Sequence, residues 1–345
     1  MMFGCAALNS PAPPSNHTKN QRVMGEALGS REWRSNLNRL QLDVSRLKKT
    51  PLDQTLSPMP FIFTHTVLVL VLLIGAEVQA QQSKTTEPLN VMAFNIRYAS
   101  ATGANAWPKR RGGVVKVIAD QKADLIGTQE GLHHQLVFMD KSLPDHKWIG
   151  TGREGGQRGE FMAIFYRHAR FEPLETKHFW LSDTPEKVGS ASWGNTVKRM
   201  VTWVRFLDRR TKKEFYFWNT HFDHRSQPSR EKSAQLVLNR VNALKTKLPV
   251  VLVGDFNAVA KANRAYTTLT SEGAFDDSFE VAKEKVNAGW NTFNGFGQTQ
   301  RGNRRIDWVL TRGPVLVDRT EIVLFKDFLQ IPSDHQPVTA RLRLK

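Results

Sequence analysis

Residues 250–258 read VVLVGDFNA: four apolar β-formers and a glycine run straight into Asp255 and Asn257. The first half has the composition of a strand covered on both faces. The second half ends that strand on a carboxylate, an aromatic ring and an amide. Alone, GDFN also fits an ordinary turn, because Gly and Asn favour tight turns. Its company along the chain decides between the two.

Upstream, LNVMAFNIRY is a nearly continuous apolar strand ending at Asn95, and DLIGTQE is a second ending at Glu130. Between them, WPKRRGGVVKVIADQKA sets Pro108 near a helix start and Val114, Val117 and Ile118 at helical spacing. GEFMAIFYR, RMVTWVRFLD and KEFYFWNTHFDH are strand-like, and the charged turn RRTKK makes the last two an antiparallel pair. A helix across SREKSAQLVLNRVNALKTKL, capped by Ser229, leads into VVLVGDFNA, and RRIDWVL, LVDRTEIVL and HQPVTARLRL close the chain with further strands. No internal repeat or linker divides residues 88–345, so about 255 residues form one α/β domain.

Asn95, Glu130, His221, Asp255 with Asn257, Asp307, and the pair Asp334 and His335 all fall at or just past the end of an apolar strand. In α/β folds, ligands bind in the crevice beyond the carboxyl ends of strands, where side chains converge from a rigid sheet. Gathering so many acids there is costly unless a cation or protons offset them. SDH alone reads as a cap or polar loop, and either histidine alone as a satisfied structural residue. Their occurrence together with Asp255 reverses that preference.

Composition narrows the chemistry. From Met59 the chain reads MPFIFTHTVLVLVLLIGAEVQAQQSK, the shape of a secretory signal peptide at 59–80 with small-residue cleavage after Ala80. Its unbroken apolar run of about ten residues is too short for a membrane span, so no stable membrane insertion is expected after cleavage. Residues 1–58 are rich in Pro, Ser, Asn and Arg and read as a disordered leader or a mis-assigned start. The first 80 residues hold 8 of the 49 Lys and Arg and 5 of the 32 Asp and Glu, so 81–345 keeps 41 positive and 27 negative charges, net +14. Such a field draws polyanions, nucleic acid among them. Cys5, the sole cysteine, precedes the cleavage site, which excludes disulfides, thiolate nucleophiles and Cys-based zinc sites from the exported chain. Any metal is therefore held by oxygen or imidazole.

FNIR, GTQE, NTHFDH, GDFNA, RRIDWVL and SDHQPV, in this order from about Leu89 to Leu344, resemble the endonuclease/exonuclease/phosphatase superfamily. This is the metal-dependent fold of pancreatic deoxyribonuclease, abasic-site endonucleases, neutral sphingomyelinases, inositol polyphosphate 5-phosphatases and nocturnin-like deadenylases. NAWPKRR, FWLSDTPE and GWNTFNGF look most like a bacterial, often secreted branch. The resemblance implies a four-layer α/β sandwich, two stacked mixed β-sheets flanked by helices, with the site at one end between the sheets.

It also implies roles. Asn95 and Glu130 would sit at a divalent metal with Asp334 nearby, and Asp255 and Asn257 would face the scissile phosphate, Asp255 orienting or deprotonating the attacking water. His335, oriented by Asp307, would contact phosphoryl oxygens, and His221, paired with Glu160, would lie on the other side. Each carboxylate would favour the charged imidazolium. Arg97 would touch phosphate, and Asp223 and His224 are accessory candidates. Mg²⁺ suits an oxygen-rich site, and Mn²⁺ accepts similar ligands. Among the aromatics, mostly core by type, Trp290 and Phe293 are the candidates for stacking on a substrate ring. Arg110 and Arg111 read first as a solvated helix face and second as a phosphate clamp. The expected protein is an exported monomer that hydrolyses a phosphodiester. The alternatives are a phosphatase or phospholipase C acting on a sugar phosphate, inositol phosphate or lipid head group, and a non-catalytic binding protein.

Overall fold

The computed structural model describes residues 87–345 apart from residue 327. The leader at 1–58 and the signal segment at 59–80 lie outside the described residues. The chain runs through β1 (Leu89–Asn95), α1 (Trp107–Asp120), β2 (Leu125–Leu132), α2 (His133–Ser142), β3 (His146–Ile149) and β4 (Glu160–Arg167). It continues through β5 (Phe171–Trp180), β6 (Met200–Asp208), β7 (Lys213–His221), α3 (Gln227–Ala243), β8 (Val250–Asp255) and α4 (Arg264–Thr270). The last elements are β9 (Asp276–Asp277), α5 (Ser278–Val281), β10 (Glu284–Val286), β11 (Asp307–Arg312), β12 (Val315–Ile322) and β13 (Val338–Leu344).

Two mixed sheets result. One has seven strands in the order β10, β12, β13, β1, β2, β4, β3, and the other six in the order β5, β6, β7, β8, β11, β9. Val91, Leu125, Val253, Val309 and Phe217 fill the core between them. Val114, Val117 and Ile118 of α1 pack with Leu136 of α2 against the outer face of the first sheet. Val237 of α3 and Leu269 of α4 cover the second with Leu252 and Trp308. This is the expected four-layer sandwich.

The period-two alternation of β8 carries the site. Val251 and Val253 enter the core between the sheets, whereas Val250 and Leu252 enter the core beneath α3 and α4. Asp255 continues the inward series at the strand's end. The same series in β7 runs Phe215, Phe217, Asn219, His221, and β1 contributes Leu89, Val91, Ala93, Asn95. Each ends polar where the apolar core stops. Just below the site, Gln129 Nε2 donates to Asn219 Oδ1 at 2.7 Å and so ties the sheets together. Gly127 lets them meet there, since a Cβ on it would fall 2.3 Å from Val253 Cγ2.

Three local readings change. The N-cap of α3 is Ser226, whose Oγ accepts from the N–H of Ser229, so Ser229 lies inside the first turn. Such a cap contributes about 1 kcal/mol. β2 runs past Glu130 to Leu132 through a break in its register with β4. β5 was hidden because it is an edge strand with a polar run, Glu175–His178, through its middle, and it takes Pro173 at a register shift.

Candidate active site

Strand register assembles the centre. His221 of β7 and Asp307 of β11 are the two registered neighbours of Asp255 on β8, so all three side chains leave the same face. His221 Nε2 is 3.3 Å from Asp255 Oδ2. His335, on the loop before β13, sets Nδ1 3.0 Å from Asp307 Oδ2 and Nε2 3.7 Å from Asp255 Oδ2. All four residues are buried.

The first sheet supplies the facing groups. Asn95 Nδ2 donates to Asp255 Oδ2 and to Glu130 Oε1, each at 3.0 Å, while its Oδ1 accepts from the N–H of Arg97 at 2.9 Å. Asn95 thereby separates two carboxylates. The Arg97 guanidinium lies between two more, with Nη1 3.4 Å from Glu130 Oε2 and Nε 3.6 Å from Asp334 Oδ2. Arg97, Glu130 and Asn257 all hold φ near +50° to +65° (56°, 64° and 48°). Such backbone costs about 1–3 kcal/mol per residue, and seven further non-Gly described residues, Lys122 and Lys245 among them, hold positive φ as well.

The two imidazoles differ in charge. Burial opposes protonation of His335, but Asp307, Asp255 and Asp334 together outweigh it and push its pKa up to about 10. Burial lowers His221 and the neighbouring Arg199 charge lowers it further, so this ring is neutral. Burial also opposes the charge on Asp255, yet His335, His221 and the N–H of Asn257 hold its carboxyl below the usual range. Asp334 is pushed up by burial, against His335, with Glu130 adding to the rise. Asp255, Asp307 and His335 can bring one ligand atom each within 4.8 Å of one another, a cluster whose composition fits metal binding. The direct His335 to Asp307 bond makes it first a proton-sharing unit.

Sequence comparison decides the family. Residues 92–335 match the Endonuclease/Exonuclease/phosphatase family. The chain belongs to this family. A family member from Bacteroides thetaiotaomicron superposes with a TM-score of 0.70 at 33% identity, over 75% of this chain and 99% of that one. A mannosyl-6-phosphatase from the same organism is also 33% identical, with a TM-score of 0.69 over 74% of this chain and 99% of its own. A protein of Acanthamoeba polyphaga mimivirus is 27% identical over 179 residues, spanning 49% of this chain and 66% of the viral protein.

Within this family frame, some expected contacts are not made. Glu160 does not pair with His221; its Oε2 accepts from Arg153 Nη1 at 2.6 Å, and His221 Nδ1 instead faces Arg199 Nη1 at 2.9 Å. Burial first, and then a guanidinium in the place of the carboxylate, keep His221 neutral and not charged as expected. Asp223 is fully buried and accepts from the N–H groups of Arg225 and Ser226, so it shapes the turn after β7 and offers nothing to a substrate. Trp290 packs against the core between the sheets beneath the Arg301 guanidinium, and only Phe293 of the two stacking candidates lines the cleft, 51% exposed. Arg110 is neither solvated nor a clamp: its five N–H groups donate to the carbonyls of Asn105, Ile96, Pro332, Arg97 and Tyr98. It thus ties the loop after Asn95 to the loop before Asp334. Arg111 is exposed, over the Phe138 ring.

The cleft encloses about 510 Å³, lined by Glu130, Asp255, Asn257, Asp334 and His335 together with Arg153, Arg199, His224, Phe293 and Arg304. Arg153, Arg199 and Arg304 escaped sequence reasoning. Arg199 carried one faint signal, a basic residue at the mouth of the buried strand RMVTWVRFLD.

Proposed function

We propose that the chain is an exported, monomeric, divalent-metal-dependent phosphoester hydrolase whose preferred substrate is a small sugar phosphate. The observation that carries hydrolysis is the registered row His221, Asp255, Asp307 with His335 bridging its two acids. Export rests on the apolar run and the Val78-Gln79-Ala80 boundary. The donor set fits a hard cation: Glu130 and Asp334 converge on one positive group, and Asn95 orients Glu130. Glu130 and Asp334 would hold Mg²⁺ or Mn²⁺. When bound, the metal supplies positive charge against the phosphoryl oxygens.

The chain's own groups supply the rest. Asp255, ionised and buried, orients the attacking water and accepts its proton as the bond between phosphorus and the alcohol oxygen breaks, and the departing oxygen takes up a proton from solvent in the open cleft. His335, a cation held by Asp307, donates to a phosphoryl oxygen from Nε2 as negative charge grows there. Asn257 and the neutral His221 flank the same position as polar neighbours. Phe293 offers a ring at the cleft mouth, and Arg153 and Arg304 offer donors to an anionic, hydroxyl-rich molecule.

The sugar phosphate is favoured by the 33% identical relative named a mannosyl-6-phosphatase and by a cleft of about 510 Å³. A second reading, a phosphodiester in nucleic acid, is supported by the net charge of +14 on residues 81–345. Initial rates on mannose 6-phosphate, bis-p-nitrophenyl phosphate and single-stranded DNA separate the two, with Mg²⁺, with Mn²⁺ and after EDTA. Hydrolysis that survives both EDTA and Asp255→Ala would sink the proposal, and faster turnover of DNA than of the sugar phosphate would select the second reading.

A further inference from the structure

Arg199 precedes β6, is 4% exposed and lies behind the catalytic row. Its Nη1 is 2.9 Å from His221 Nδ1 and its Nη2 is 3.0 Å from His224 Nδ1. A guanidinium has donors only, so each contacted Nδ1 must present a lone pair. A neutral imidazole carries one proton, which then sits on Nε2 in both rings. For His221 this proton faces Asp255 Oδ2 at 3.3 Å. Asn257 Nδ2 stands 3.0 Å from the same nitrogen and keeps one of its two N–H groups on the Phe222 carbonyl at 3.1 Å, so carboxylate and amide compete for Nε2 and the Arg199 donor at Nδ1 decides for the carboxylate.

We infer that Arg199 is a positioning residue that locks His221 and His224 together as Nε2–H donors facing the cleft. His224 is exposed and lines that cleft, so its Nε2–H becomes a substrate contact. His221 cannot act as a base from Nε2, and its proton fixes the orientation of Asp255. Asp223 Oδ2 lies 3.9 Å from Arg199 Nε and balances the buried charge. One guanidinium thus couples a residue of the catalytic row to a residue of the substrate wall, a link that meets the His335 and Asp307 pair at Asp255 Oδ2.

This inference rests on the hydrolase reading for its effect on rate, but the tautomers are measurable without turnover. The experiment is a long-range ¹H–¹⁵N correlation spectrum of the histidine rings in the wild-type protein, with Arg199→Met and Arg199→Lys compared. The expected result is the Nε2–H form for both His221 and His224 in the wild type and a mixture of tautomers in Arg199→Met. With Mg²⁺, Arg199→Met should lose about 10²-fold or more in kcat on mannose 6-phosphate or bis-p-nitrophenyl phosphate, whichever the wild type turns over. Added guanidinium should restore part of that rate. An Nδ1–H or doubly protonated form of either ring in the wild type overturns the inference even if the variants fail to fold. Folded Arg199→Met with unchanged tautomers and near wild-type kcat overturns it too. Wild-type turnover on each of these substrates keeps the two ideas apart, since no hydrolysis of any of them with Mg²⁺ or Mn²⁺ defeats the hydrolase reading and leaves the ring assignment standing.

Discussion

Asp255 and Asp307 are registered partners on β8 and β11, and His335 reaches both, 3.7 Å from one and 3.0 Å from the other. The cation offsets two buried acids that would otherwise repel. His335→Ala should therefore reduce kcat by about 10² to 10⁴ while the circular dichroism spectrum stays unchanged. A folded His335→Ala with near wild-type turnover would remove this residue from the reaction.

The same pair sets a pH limit on stability. The His335 pKa is raised from its ordinary value to about 10, so the folded state holds the proton more tightly than the unfolded chain. Its contribution is fully present below about pH 6.5 and is lost as the pH rises through about 10. Asp307→Asn removes the main partner and should flatten the fall in melting temperature between neutral pH and pH 10.5. An unchanged alkaline slope would count against the pair.

His146 predicts the opposite slope. Burial lowers its pKa although its Nε2 lies 2.9 Å from the Ala123 carbonyl. The unfolded chain then binds the proton more readily, so this group's contribution is present above about pH 6.5 and lost as pH falls through the folded value. His146→Gln, which can still donate to Ala123, should lose less melting temperature than the wild type between pH 7.5 and 5.5.

Arg110 uses all five of its donors on carbonyls from three segments of chain. Arg110→Ala should destabilise the fold by about 3–5 kcal/mol, because it strands buried carbonyls. Arg110→Lys has three donors, cannot reproduce the fork and should recover less than half of the loss in urea unfolding.

Phe293 and Trp290 separate ligand contact from packing. Phe293→Ala should raise KM by about tenfold with a stability change within about 0.5 kcal/mol, since the ring stands exposed at the cleft mouth. Trp290→Ala should cost about 2 kcal/mol with KM little changed. Equal effects of the two on KM would contradict the placement of Trp290.

Much of the fold and site was legible along the chain, because burial imposes a period that sequence displays. VVLVGDFNA announced a covered strand ending in Asp255, and the same apolar-to-polar break located Asn95 and His221 at the ends of β1 and β7, whereas Glu130 lies inside β2, Asp307 opens β11 and His335 lies on the loop before β13. These are local signals, set by which face of a strand meets the core. What they could not carry was partnership across the sheets. His221 meets Arg199 from β6's edge, 22 residues away, and not Glu160. Arg110 sits at a helical position that looks solvent-facing, yet five carbonyls on loops up to 222 residues distant draw it inward. Hydrogen-bond partners and buried charge depend on where distant backbone ends up, and that is decided only when the two sheets close on each other.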